Sequence, residues 1–291
     1  MRYYEQVTTQ HSKSPHVRQA MLQMALIHKR QGRVDQAIAG FKAIVAEYPT
    51  MDGSRDALAG LESIYVEQGR VSEYEAYVRG LQFVDPSTLD LDEKYYRSAE
   101  KLYFDEKCPQ AIGAFGDYLN KYPNGAYALN ALFYRGDCHY RAGQYDQALP
   151  DLEAVVKRNG LDFMENALFG ASDILFRDKR WEGALDHFRK LETYASTPQN
   201  TLKAQVGIMR CLKELGRAEE AAAAAEKVAA NGSATADMRA EAGLLVANGL
   251  LARNDTEGAY TKFKAISSGS TNAYGAEAKY YMAYVRHLQG Q

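Results

Sequence analysis

Apolar and polar positions follow a helical period along this chain, and the pattern breaks and restarts at regular intervals. The stretch from Ala111 to Ala148 holds one full cycle, AIGAFGDYLNKYPNGAYALNALFYRGDCHYRAGQYDQA. It predicts an apolar-periodic helix, a Tyr-Pro-Asn-Gly break, a second helix, and a Gly turn before the first pattern returns. The alanine, or its stand-in, that opens the second helix of each unit recurs at Ala37, Tyr74, Ala111, Ala148, Ala184, Ala221 and Ala259, in steps of 37, 37, 37, 36, 37 and 38. Pro49, Pro86 and Pro123 keep the same 37-residue step. Four places after each alanine stand Phe41, Val78, Phe115, Leu152, Phe188, Ala225 and Phe263. A fixed period of this length predicts a solenoid, in which each unit buries its apolar face on its neighbours.

Each marker has a physical reason. The alanine sits where the two helices of a pair cross closely, and the residue four places on lies one turn along the same face. Proline ends the second helix, because it lacks an N–H and disfavours helix in the residue before it. Gly32, Gly69, Gly143 and Gly216 fall at the turn inside each pair, where a left-handed backbone costs glycine little. Tyr74 in the alanine position is expected to widen its pair. Pro150 falls inside a predicted second helix and is expected to cost a hydrogen bond.

The unit resembles a tetratricopeptide repeat. The residues that carry the resemblance are Ala25, Gly32, Ala37, Phe41 and Pro49 in one unit, and Gly136, Gly143, Ala148, Leu152 and Gly160 in another. The resemblance implies an all-α fold, a right-handed α-solenoid of about seven helix pairs with a half repeat at each end. The units are expected at 15–49, 50–86, 87–123, 124–160, 161–197, 198–233 and 234–271, with partial units at 1–14 and 272–291, in a single array spanning 1–291. The chain so read is a fragment of a longer array, and its uncapped ends are expected to favour self-association. The family period is about 34 residues, so longer loops between units are expected here.

Composition narrows the function. The net charge is -2, which offers no basic footprint for nucleic acid. No run is long and apolar enough for direct membrane insertion. The six histidines show no metal-ligand spacing, and neither a nucleophile elbow nor a phosphate-cradling loop occurs. Neither an enzyme nor a cofactor or metal site is expected, and His139 reads as a core histidine. The three cysteines, Cys108, Cys138 and Cys211, are odd in number and form no C-x-x-C pair, so they read as small buried apolar residues, with no disulfide framework.

Binding is the remaining work. In the family, first helices line the concave side, with groove-facing residues at the second, fifth, ninth, twelfth and thirteenth places. The resemblance places Glu93, Tyr96, Glu100, Tyr103 and Phe104 there in the third unit. It places Asn130, Phe133, Asp137, Tyr140 and Arg141 in the fourth, and Asn166, Phe169, Asp173, Phe176 and Arg177 in the fifth. The last two rows are near copies, 36 residues apart, with Asn, Phe and Asp on one helical face. They predict a ladder of aromatics that takes a protein or extended peptide. The competing reading is that the rings pack between helices and that the Asp–Arg pairs are surface i,i+4 contacts. A clamp for a C-terminal carboxylate is disfavoured, because the fifth places (Leu22, Ala59, Tyr96, Phe133, Phe169, Val206, Leu244) carry no basic residue.

Two further expectations follow. The alternative to a peptide groove is a structural spacer or assembly scaffold. The run Phe115–Gly143 also resembles repeats of bacterial envelope proteins, the periplasmic Tol–Pal accessory protein and the outer-membrane assembly lipoprotein. That resemblance implies a periplasmic or envelope scaffold, a compartment that unpaired cysteines fit poorly.

Overall fold

Each predicted apolar stripe becomes a helix. The computed structural model describes residues 1–290, and among them sixteen α-helices follow one another with no strand. They are α1 Arg2–Gln10, α2 Val17–Arg30, α3 Val34–Glu47, α4 Met51–Glu67, α5 Val71–Arg79, α6 Leu91–Phe104, α7 Cys108–Lys121 and α8 Ala128–Arg141 in the first of two compact units, Met1–Ala142. From Gly143 onward come α9 Tyr145–Lys157, α10 Met164–Arg177, α11 Trp181–Tyr194, α12 Pro198–Glu214, α13 Ala218–Ala230, α14 Ala236–Ala252, α15 Thr256–Gly269 and α16 Ala273–Leu288. Within each unit, every helix packs chiefly on its neighbours in sequence, as in an all-α solenoid.

The core follows the period. Ala37, Ala111, Ala148, Ala184, Ala221 and Ala259 are all buried, and so are the partners four places on, from Phe41 to Phe263. These phenylalanines reach into the next hairpin by one of two routes. Where the facing residue is glycine, the ring lies against bare backbone: a Cβ added at Gly60 would come 2.5 Å from Phe41, and one at Gly207 2.5 Å from Phe188. Where it is tyrosine, the rings stack, Phe115 on Tyr134 at 5.9 Å and Phe263 on Tyr281 at 5.1 Å.

The long period is not spent on loops alone. α4, α12 and α14 run to seventeen residues, against fourteen for α2, α6, α8 and α10. Each long helix starts from a threonine, Thr50, Thr197 or Thr235, whose side chain accepts the N–H of the third helical residue. That cap turns extra linker into an extra helical turn. α2 and α8 lack such a cap and follow longer non-helical links, so there the expected loops do occur.

Tyr74 is buried in the α4–α5 pair, donates to Glu62 at 3.3 Å, and leaves a cleft of about 450 Å³ lined in part by Leu58, Phe83 and Val84. α4 and α5 touch along less of their length than the other hairpins within the units, and α5 is only nine residues long. α9 continues unbroken through Pro150, which faces solvent. The alanine run lets α13 approach α14 so closely that a Cβ at Gly249 would meet that of Ala222 at 2.7 Å.

The cysteine expectation is corrected. Cys108 and Cys138 form a disulfide that ties the first residue of α7 to α8. Only Cys211 is a free buried thiol, pushed up to about 12 by burial. The pair was hidden because its partners lie 30 residues apart and meet only when neighbouring hairpins stack.

Candidate interaction surface on the first helices

In the first unit, α6 and α8 lie side by side with α7 behind them. Tyrosine hydroxyls bind this part of the array to carboxylates. Tyr95 donates to Glu75 at 2.9 Å, Tyr96 to Glu100 at 2.6 Å, Tyr103 to Asp137 at 2.9 Å and Tyr118 to Asp92 at 2.7 Å. Each ring supplies apolar contact while its hydroxyl satisfies a charged group. Burial first, and then the facing carboxylate, pushes every one of these hydroxyls up, Tyr103 to about 12.

The expected ligand-facing residues separate into two sets. Tyr96 is 1 % exposed, stacked on Tyr127 at 4.4 Å and edge-on to Tyr118 at 6.0 Å, so it belongs to the core. Asn130 lies within hydrogen-bonding reach of its hydroxyl. Phe133 is buried as well, beside Tyr134 at 5.5 Å. These two rings are covered by the surrounding helices, as the packing reading expects.

The second set reaches the surface. Phe104, the last residue of α6, is 65 % exposed and edge-on to both Tyr103 at 5.3 Å and Tyr134 at 5.8 Å. Tyr103 is half-buried, with its ring 4.5 Å from that of Tyr134. Asp137, beside it, also pairs with the exposed Arg141 at 3.7 Å. Tyr140 is half-buried on the same helix. On α6, Arg97 bridges Glu93 and Glu100 and lies over the Tyr96 and Tyr127 rings.

The second unit carries its own row on α10. Asn166 is exposed, and the half-buried Phe169 lies under the Lys203 ammonium at 4.7 Å. Asp173 and Arg177 form the i,i+4 pair at 2.8 Å, with the Arg177 guanidinium also over Tyr145 at 5.2 Å. Phe176 packs edge-on against Trp181 at 4.8 Å. His139 is half-buried.

Two sequence profiles described as "Tetratricopeptide repeat" match this chain, one over residues 96–149 and 135–201, the other over 19–50. These segments coincide with hairpins already described. Residues 19–50 and 96–201 are tetratricopeptide repeats. No curated protein matches the chain in sequence. Among solved structures this chain is similar to a tetratricopeptide repeat protein from Parabacteroides merdae, at 17% identity over 92% of this chain and 98% of that one, with a TM-score of 0.34. It is also similar to the C-terminal part of a repeat protein from Cytophaga hutchinsonii, at 15% identity over 88% and 98%, with a TM-score of 0.48. A third is yeast Tom70, at 15% identity over 99% of this chain and 58% of that one, with a TM-score of 0.41. Tetratricopeptide repeat proteins are generally non-catalytic scaffolds that bind other proteins or peptides. Among the described residues no group of three or more His, Cys, Asp or Glu could hold a metal, and no helix is long and apolar enough to cross a membrane.

Proposed function

We propose that this scaffold binds an extended segment of a partner protein on the face shared by α6 and α8, with Phe104 as the apolar anchor. The observation that supports the reading is the Phe104 ring itself: large, 65 % exposed, and backed by Tyr103 and Tyr134. A rigid aromatic ring on a packed aromatic base is the kind of anchor that carries interface energy. Glu100, Asp137 and Arg141 around it supply polar partners for a peptide backbone and for side chains of either charge. α10 carries a second row of the same type in Asn166, Phe169, Asp173 and Arg177.

The test is a peptide-display selection on the intact chain, followed by affinity measurements on Phe104→Ala. Selected peptides should lose about tenfold or more in affinity, the scale of an anchor residue, while the melting curve stays in place because the ring is exposed. Peptides that bind Phe104→Ala as tightly as the parent chain would remove the assignment. Phe133→Ala is a poor probe, because it removes a buried ring and so tests packing.

A second reading, assembly through an end helix, draws on α16. Tyr280, Tyr284 and Leu288, at spacings of four, are all exposed along one stripe of that helix. Sedimentation of the parent chain and of Tyr280→Ser/Tyr284→Ser should then show association in the first and its loss in the second. A parent chain that stays monomeric at all concentrations excludes this reading.

A further inference from the structure

The Cys108–Cys138 bridge lies at the corner that holds Phe104. Cys108 opens α7 four residues after Phe104, beyond a turn whose Glu106 takes a left-handed φ of 59°. Cys138 follows Asp137, the acceptor of the Tyr103 hydroxyl. The disulfide and the Tyr103–Asp137 bond therefore fasten the α6–α7 turn to α8 from two sides. We propose that the disulfide is a redox latch: oxidised, it pins this corner; opened by a dithiol, it frees the corner while the repeats stay folded.

Three observations carry this. The equivalent place in an earlier pair of hairpins is held without a covalent bond. Val34 opens α3 and packs in the cluster that contains the buried Ile64 of α4, again 30 residues on. An apolar contact is thus enough for the fold at that position. The seam around the bridge is also extensive, with Ala111, Phe115 and Tyr118 of α7 sharing one buried cluster with Ala128 and Ala131 of α8. It outlasts loss of the bond. Finally, the two sulfurs differ in access: Cys138 is fully buried, whereas Cys108 is only partly so.

The exchange follows from that asymmetry. A thiolate of the dithiol attacks the Cys108 sulfur, the S–S bond breaks, and Cys138 leaves as a thiolate that takes up a proton. The second thiol of the dithiol then attacks the mixed disulfide, releasing Cys108 and leaving the reductant with its own disulfide. Two electrons pass from reductant to protein, and the two thiol protons end on the cysteines. Freed Cys108 lies at the first residue of a helix, where a thiolate is stabilised, so it is the sulfur that re-enters oxidation. The closed state suits an oxidising compartment, and the reaction class that opens it is that of dithiol oxidoreductases.

The consequence for binding rests on the α6–α8 face being the interaction surface; the latch does not, and the experiment reads the latch alone. Chain purified without reductant should show one reactive thiol in denaturant, Cys211, of the three cysteines present. Dithiothreitol under native conditions should raise the count to three and leave the helical circular dichroism unchanged. It should also speed amide exchange across 103–110 and 134–141 by about tenfold or more, a local opening effect. Cys108→Ser/Cys138→Ser should show the fast exchange with or without reductant. Three thiols before reduction, a bridge that opens only in denaturant, unchanged exchange after reduction, or collapse of the whole array would each overturn the proposal. If the latch holds and Phe104→Ala leaves peptide binding intact, the latch stands and the binding assignment falls.

Discussion

The hydroxyl of Tyr103 donates to the carboxylate of Asp137 across the junction of α6 and α8, 34 residues further along the chain. Lys29 and Ser63 make the same step, at 2.6 Å and again 34 residues apart, between α2 and α4. Both join the twelfth place of one first helix to the ninth of the next. The face on which peptide contacts were expected is thus partly used to hold successive hairpins in register.

Tyr103→Phe keeps the ring and removes that bond. Asp137 retains Arg141, so no charge is stranded, and the cost should be about 1 kcal/mol, the ordinary net value of such a bond. Urea denaturation checks it, and a loss several times larger would mean that the hydroxyl holds more than one hairpin.

Glu75→Ala should cost more. The buried Glu75 carboxylate accepts from Tyr95 at 2.9 Å and Arg79 at 2.8 Å and pairs with Lys121. Burial alone would raise its pKa, but these partners outweigh it and hold the carboxyl below its usual range. Lys121 and Arg79 can turn to solvent when it is lost, so the expected destabilisation is about 1–3 kcal/mol, short of the cost of a stranded buried charge. Parallel melts of Glu75→Ala and Glu75→Gln measure it.

Gly60→Ala should be destabilising although alanine favours helix. Its Cβ would meet the Phe41 ring at 2.5 Å. Phe41 is fully buried, so the ring cannot swing away freely, and overpacking of this kind costs about 1–3 kcal/mol. Gly113→Ala, where nothing lies within 4 Å of the added atom, is the control and should be neutral or mildly stabilising.

Alkali should weaken the first unit. Tyr74, Tyr95, Tyr96, Tyr103 and Tyr118 are all pushed upward by burial first and then by a facing carboxylate. A raised folded pKa gives stability that is complete below the unfolded value of about 10 and is lost as pH rises past it. For Tyr103 that loss runs from about 10 to about 12. Melting temperature should therefore hold to about pH 9.5 and fall above it, with tyrosinate absorbance at 295 nm rising together with unfolding. Complete tyrosinate absorbance reached while the chain is still folded would contradict the burial described.

The helix pairs were legible because the period repeats their markers many times, and one degenerate unit such as that of Tyr74 is outvoted by its neighbours. The threonine caps were legible in principle but show only once the start of α4 is compared with that of α2. Burial of Tyr96 and Phe133 was not legible, because helical spacing says which side a residue takes and not whether other helices cover it. Phe104, by contrast, lies at the helix end, where cover runs out. The disulfide needed the ladder rather than the line: Cys108 occupies the place of Val34, and Cys138 that of Ile64. Local cysteine spacing carries no trace of this.

The alternating reception of the phenylalanines, bare backbone at Gly60 and Gly207 and a stacked ring at Tyr134 and Tyr281, has a genetic consequence. Hairpins of this chain are not beads that recombination can shuffle at will. A duplicate of the hairpin containing Phe188, set in front of one with a branched aliphatic residue at the receiving place, would arrive without a lodging for its ring. Each hairpin thus carries an address for its successor, written in side-chain volume.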